Sequence, residues 1–308
     1  MTDRRAILIA GPTAGGKSGL AVRLAERYGG VVINADSMQV YRELRILTAR
    51  PNPEEEARVP HALYGFVPGR ECYSAGRFAA DAARALDEAR GKGLRPIVVG
   101  GTGLYFKTLI EGLSPMPEIE EPVRARWREA AARAGTGEMH RILCGRDPQM
   151  AGRLAPGDTQ RIVRALEVID QTGVSLATWQ RVPREPVLSE AETIRIVVAP
   201  ERADLVSRID ARFDRMVKEG AVDEVKGLAA LKLDPSLPIM SALGVRPLLR
   251  HIAGGIDIAE ATQLAKAETR QYAKRQATWA RGNMLSWTWV AAKEMKTSEA
   301  EIVSLIDR

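Results

Sequence analysis

The chain has 308 residues, 45% hydrophobic and 27% charged, a balance that excludes a disordered or fibrous protein and allows one large domain plus a smaller inserted one. Cys72 and Cys144 lie far apart without a C-x-x-C partner, which excludes a disulfide framework or a zinc site and fits a reducing cytoplasm. A net charge of +6 favours a polyanionic partner, a weak pointer until the charge is located. Residues 6–10 (AILIA) follow two arginines, but Gly11 and Pro12 stop the run short of signal-peptide length, so it reads as a buried strand; no stretch suits a membrane span.

Directly after that strand come Gly11, Pro12, Thr13, Ala14, Gly15, Gly16, Lys17 and Ser18, matching G-x-x-x-x-G-K-[ST]. A helix follows, with Leu20, Ala21, Leu24 and Ala25 at helical spacing and Gly29-Gly30 as its stop. Backbone N–H groups in such a loop converge on a diphosphate, Lys17 neutralises charge, and Ser18 can ligate Mg²⁺ beside the phosphates. The next strand, 31–35 (VVINA), ends in Asp36, at the edge where parallel sheets bind ligands; a carboxylate there can ligate Mg²⁺ or act as a base. Residues 97–103 (IVVGGTG) form another strand and turn but carry no carboxylate, which argues against nucleotide hydrolysis.

A helix over about 74–89 carries Phe78, Ala82, Leu86 and Ala89 on one face, and alternation of strand and helix persists to residue 112. Then an acidic, proline-rich linker (113–122) opens an arginine-rich stretch of purely helical pattern up to about residue 180. There Ile162, Leu166 and Ile169 mark an apolar face, while Gln160, Arg161 and Arg164 form a basic edge; Arg124, Arg126 and Arg128 add charge. A loose stretch (181–192) leads back to a strand at 194–198 (IRIVV), and helices are expected from there to the end. One has Ile209, Phe213 and Met216 on its apolar face and Arg208, Arg212 and Arg215 on another. The expected architecture is an α/β P-loop nucleoside-triphosphatase-like parallel sheet flanked by helices, residues 1–115 and 190–308, with an all-helical insertion at 116–189.

The run Asn34-Ala35-Asp36-Ser37-Met38-Gln39-Val40-Tyr41 resembles the N-A-D-S-x-Q-x-Y motif of tRNA dimethylallyltransferases, bacterial type. The resemblance extends through TARP at 48–51, VVGGTGLYFKTLIEGLSPMP at 98–117, QRIVRALEV at 160–168, RIDARFDRM at 208–216 and QYAKRQATWAR at 271–281. Departures are small: Gly15 and Ser18 vary the commoner GPTASGKT, and Leu47 replaces a usual glycine. The resemblance implies transfer of a dimethylallyl group from dimethylallyl diphosphate, with Mg²⁺, to N6 of adenine 37 beside the anticodon of tRNA. It implies that Asp36 accepts the N6 proton, Arg212 approaches the diphosphate, and Thr102 sits in the substrate channel. It also implies that Ser37, Met38 and Gln39 lie beside the extruded base and that Arg124 contacts the tRNA; the edge of Gln160, Arg161 and Arg164 suits the phosphate backbone of the same anticodon stem-loop.

A cytoplasmic monomer is expected. Three rival readings share parts of this pattern. An isopentenyltransferase on free adenine nucleotides needs no arginine-rich insertion; a small-molecule kinase needs a second carboxylate; a noncatalytic RNA-binding module needs no Lys17, Ser18 and Asp36 together. His61, His140 and His251 lack metal-ligand spacing and read as structural, and Trp279, Trp287 and Trp289 read as packing residues of the C-terminal helices.

Overall fold

A computed structural model describes residues 5–134, 136–291 and 295–307. It divides into two compact units, Met1–Ile110 with Val187–Arg308, and Glu111–Pro186.

Among the described residues of the first unit, six strands form one parallel sheet in the order β3-β2-β4-β1-β5-β6. They are β1 (Ala6–Ala10), β2 (Gly30–Asn34), β3 (His61–Ala62), β4 (Arg95–Gly100), β5 (Thr193–Ala199) and β6 (Thr288–Ala291). β1, β2 and β4 are buried at every residue, which is why their sequences read as unbroken apolar runs rather than alternating ones. Helices α1 (Lys17–Tyr28), α2 (Pro53–Arg58), α3 (Ala75–Gly91) and α4 (Gly103–Glu111) fill the connections of the N-terminal half. Gly29 ends α1 in the left-handed conformation (φ 62°), and Asn52 caps α2 in a box with Glu55.

The chain leaves this unit after residue 110 and returns at 187, where the backbone N–H groups of Val187 and Leu188 both donate to the Leu109 carbonyl at 2.9 Å. The C-terminal half supplies α10 (Arg202–Lys218), α11 (Ala221–Ala230), α12 (Val245–Ile252), the 26-residue α13 (Ile258–Asn283) and α14 (Met295–Ile306). The sequence pattern predicts only helices after residue 198, yet β6 pairs in parallel with β5 there. With four residues and only Val290 buried, β6 carries too little alternation to be read as a strand.

The second unit is helical: α5 (Glu121–Arg133), α6 (Thr136–Arg146), α7 (Pro148–Ala151), α8 (Thr159–Thr172) and α9 (Leu176–Trp179). Trp127, Met139, Leu143, Ile162 and Leu166 form its core. Asp170 accepts from Trp127 Nε1 at 3.1 Å, pairs with Arg146 at 2.8 Å, and also pairs with Arg126.

Candidate active site

In the first unit the loops after β1, β2 and β4 leave the same end of three adjacent strands, so their residues are neighbours in space although far apart in sequence. A cavity of about 660 Å³ opens there. Thr13, Ala14, Gly15, Gly16, Lys17 and Ser18 line it, together with Asp36, Gln39, Gly101 and Arg212. Gly11 and Pro12 shape the loop from behind. A Cβ on Gly11 (φ +149°) would meet the Val198 carbonyl oxygen at 2.5 Å, so the loop passes β5 where only glycine fits. Gly16 (φ 88°) turns the chain into α1.

Lys17 is buried, and its ammonium donates to the Pro12 carbonyl at 2.6 Å. Burial pulls its pKa down from 10.5 to about 8; the Asp36 carboxylate opposes that shift and the Arg212 guanidinium adds to it. Arg212, reaching from α10, is likewise shifted downward by burial, with Asp36 the main charge opposing that shift. Lys17 and Arg212 face the cavity with Arg45, Arg50, Arg208 and Arg215, against the carboxylates of Asp36, Glu55 and Glu219, an excess of positive potential suited to a polyanion.

The turn that carries Asp36 is held from both sides. Asn34, fully buried, accepts from the Asp36 backbone N–H at 2.8 Å and donates to the carbonyls of Asp36 and Leu63, both at 3.0 Å. Asp36 Oδ1 accepts from the Met38 N–H at 2.9 Å, which orients the carboxylate. The Thr102 hydroxyl accepts from the Ser37 N–H at 2.9 Å and donates to Ser37 Oγ at 3.3 Å. Gln39 turns its amide nitrogen to the carbonyls of Thr48 (2.8 Å) and Ala49 (3.0 Å), tying this segment to the loop that follows it.

Residues 39–283 match the family model described as "IPP transferase", and residues 4–64 match "Isopentenyl transferase". The chain is 52% identical over 303 residues to the tRNA dimethylallyltransferase of Parvibaculum lavamentivorans, covering 98% of this chain and 96% of that one. The chain belongs to the tRNA dimethylallyltransferase family. Its fold is similar to the full-length tRNA isopentenylpyrophosphate transferase of Bacillus halodurans, with TM-score 0.70, 32% identity, and 99% of this chain and 96% of that chain covered. It is also similar to a eukaryotic dimethylallyltransferase acting on tRNA, with TM-score 0.77 and 27% identity over 95% of this chain and 75% of that one. The expected P-loop-type parallel sheet flanked by helices is the fold of the family.

Arg124, Gln160, Arg161 and Arg164 lie in the second unit. Gln160 and Arg161 are exposed in the first turn of α8, where Asp158 caps the helix and pairs with Arg161 at 3.1 Å. Arg164 pairs with Glu167 at 3.2 Å. Arginines within 111–186 are matched one for one by aspartates and glutamates, so the net +6 of the chain resides in the first unit. The basic edge of α8 is thus a local arrangement and not an overall excess of charge.

Three residues of α13 escape the sequence reading as functional positions: Tyr272, Gln276 and Trp279, at helical spacings that put them on one face. Gln276 Oε1 accepts from the Thr13 N–H at 2.8 Å, and its Nε2 donates to the Gly101 carbonyl at 2.9 Å. The Tyr272 hydroxyl interacts with the side chains of Thr102 and Gln276, and its pKa is raised, first by burial and then by Asp36. The glycines around Thr102 suggest, from sequence, close approach of a substrate. In the structure they make room for protein: a Cβ on Gly100 would meet the Ala35 carbonyl, one on Gly101 would meet Gln276, and one on Gly103 would meet Trp279, each at 2.1 Å.

Each histidine contacts backbone carbonyls: His61 with Val59, His140 with Ala151 and Leu154, His251 with Ile256. Trp287 is buried edge-on against Phe106 and Trp279 packs on Gly103, whereas Trp289 is partly exposed. No described helix is long and apolar enough to cross a membrane.

Proposed function

We propose that the chain transfers the dimethylallyl group of dimethylallyl diphosphate to N6 of adenine 37, next to the anticodon of tRNA, giving N6-isopentenyladenosine and diphosphate. The observation that carries this reading is the joint presence of Lys17, Arg212 and Asp36 on one cavity whose third wall, the end of β4, offers no carboxylate for nucleotide hydrolysis. Membership of the tRNA dimethylallyltransferase family favours tRNA over a free adenine nucleotide as acceptor.

In this mechanism the N6 lone pair forms a bond to C1 of the prenyl group while the C1–O bond breaks and its electron pair leaves on the diphosphate. Charge gathers on the leaving group, where the backbone N–H of Gly16, the Lys17 ammonium and the Arg212 guanidinium stabilise it. The amine becomes cationic as it attacks, and Asp36 Oδ2, the oxygen not engaged by Met38, accepts its proton. Adenine reaches a carboxylate at this depth only after extrusion from the stacked loop. With its amide nitrogen committed to Thr48 and Ala49, Gln39 offers the base its Oε1, an acceptor for the exocyclic amine. Ser37 and Met38 flank that base, and Thr102 fixes their turn.

Ser18, exposed at the head of α1, and Asp36 on the same cavity are hard oxygen donors of the kind Mg²⁺ takes. Among the described residues no cluster of three or more His, Cys, Asp or Glu could hold a metal by itself, so diphosphate oxygens and water must complete the shell. These residues fit a cation delivered with the donor. When bound, Mg²⁺ neutralises charge on the diphosphate. In the second unit, Arg124 and the α8 edge of Gln160, Arg161 and Arg164 grip the anticodon stem-loop backbone. Incubating the protein with unmodified tRNA, dimethylallyl diphosphate and Mg²⁺, then analysing nucleosides by mass spectrometry, tests the reading. N6-isopentenyladenosine is expected, and prenylation of free AMP at a comparable rate would favour the nucleotide-acting alternative.

A further inference from the structure

We infer that Gln276 is a positioning residue that registers the diphosphate loop against the wall of the site that receives the adenine, an inference that rests on the reaction proposed above. The geometry is specific to a carboxamide. One end of the side chain must accept from the Thr13 N–H and the other must donate to the Gly101 carbonyl, across 2.8 and 2.9 Å. Thr13 belongs to the loop after β1 and Gly101 to the turn after β4, and each is held by its own strand. Gln276 comes from neither. It reaches both from α13, 263 residues away from Thr13 and 175 from Gly101.

The surrounding packing holds the turn that this bridge engages. Trp279 occupies the space over Gly103, and the Tyr272 hydroxyl meets Thr102 and Gln276, so one face of α13 clasps the whole 101–103 turn. Thr102 in turn holds the Ser37 N–H, one residue from Asp36. A continuous set of hydrogen bonds therefore runs from the P-loop backbone through Gln276 to the Gly101–Thr102 turn and on to the segment bearing Asp36. The reaction needs the electrophilic carbon, fixed by its diphosphate, and the nucleophilic nitrogen, fixed beside Asp36, to meet within a near-attack separation. Displacement by about 1 Å costs on the order of 10²-fold in rate. A side chain that sets the distance between the two holders controls that separation without touching either reactant.

Glutamate keeps the acceptor for Thr13 but sets a carboxylate against the Gly101 carbonyl. Methionine keeps length and volume and makes neither bond. Single-turnover prenylation at saturating tRNA and donor should fall roughly 10- to 100-fold in Gln276→Met and in Gln276→Glu. Binding of inorganic pyrophosphate and of tRNA should change less than about threefold in Gln276→Met, with a melting temperature within a few degrees of the parent. Three outcomes would overturn the inference: an unchanged single-turnover rate, a rate loss matched by an equal loss of tRNA affinity, or a loss matched by unfolding. If the parent protein itself prenylates no tRNA, the proposed reaction fails instead, and the pyrophosphate arm still reports whether Gln276 shapes the P-loop.

Discussion

The Lys17 ammonium donates to the carbonyl of Pro12, five residues earlier in the same loop, at 2.6 Å. The P-loop is thus closed around its own lysine, with the charge buried and oriented before any phosphate arrives. Burial holds the lysine at about 8 against the ordinary 10.5. Below pH 8 both folded and unfolded chains carry this proton and the cost of burying the charge is present in full. As pH rises through 8 the folded state loses the proton first and that cost is relieved, so this group alone makes the fold more stable with rising pH.

Activity should move the other way. Above pH 8 a growing share of free protein has a neutral Lys17, so kcat/KM for the donor should decline as pH increases. At saturating donor, kcat should stay level across the same range, because the bound diphosphate restores the charged form. Lys17→Arg should abolish the inflection. Initial rates over a pH series, with donor varied at each pH, check this; an inflection retained in Lys17→Arg would assign it to another group.

Asp36→Asn keeps the size of the side chain and its acceptor for the Met38 N–H, but removes the capacity to take the N6 proton. The prenyl-transfer rate should fall by about 10² to 10⁴, the usual range for loss of a positioned general base, with tRNA and donor affinity retained. A metal ligand would behave differently. If Asp36 holds Mg²⁺, the substitution weakens donor affinity and raised Mg²⁺ restores part of the rate. Single-turnover kinetics across a Mg²⁺ series separates the two roles.

The diphosphate loop and Asp36 are legible in the sequence because each is announced by its own strand: a short apolar run, then a glycine turn or an acidic residue at its end. The parallel sheet follows from the same runs, and the expected fold class holds. Gln276 and Tyr272 are quoted in the family resemblance without a role and Trp279 reads only as a packing residue, since nothing local to α13 says which turn its face meets. That pairing joins positions 175 residues apart and exists only once the chain has returned from 111–186. Gln39 illustrates the other limit. Its type suits an adenine edge, but its two carbonyl partners, at Thr48 and Ala49, are visible only in three dimensions. The basic edge of α8 was equally incomplete in sequence: the helical spacing displays the arginines, while the pairing with Asp158 and Glu167 depends on rotamers.

That pairing decides which substitutions test the tRNA contact. Arg161 is 72% exposed at its side chain, so Arg161→Glu alters charge with little packing cost. Arg164 sits against Glu167, whose side chain is only 9% exposed, and a glutamate at 164 would set two carboxylates together in poor solvent. Arg164→Gln is the usable variant. The combined change should weaken tRNA binding across sequences and flatten its dependence on log salt by roughly one unit of slope per lost phosphate contact. Filter binding over a salt series measures it, with circular dichroism to check the helices; an unchanged slope would remove α8 from the interface.

Two neighbouring glycines offer a test of how the turn after β4 is built. A Cβ on Gly100 would lie 2.1 Å from the Ala35 carbonyl oxygen and 2.2 Å from its carbon, both backbone atoms at the end of β2. Backbone in a buried parallel pair has little room to yield, so Gly100→Ala should destabilise the fold by about 1–3 kcal/mol, seen as a lower denaturation midpoint. Gly101 differs, because its nearest neighbour is the tip of a flexible side chain: Gln276 Nε2 at 2.1 Å and Cδ at 3.2 Å, with Asp36 Oδ2 at 3.5 Å. The amide of Gln276 can swing away, so Gly101→Ala should leave stability nearly intact while breaking the bridge to Thr13 and lowering the transfer rate. In a Gln276→Ala background the bridge is already gone and the space is open, so the same glycine substitution should cost no further activity, a strongly non-additive cycle. Full additivity would mean that the new methyl acts on Asp36 Oδ2 and not through Gln276.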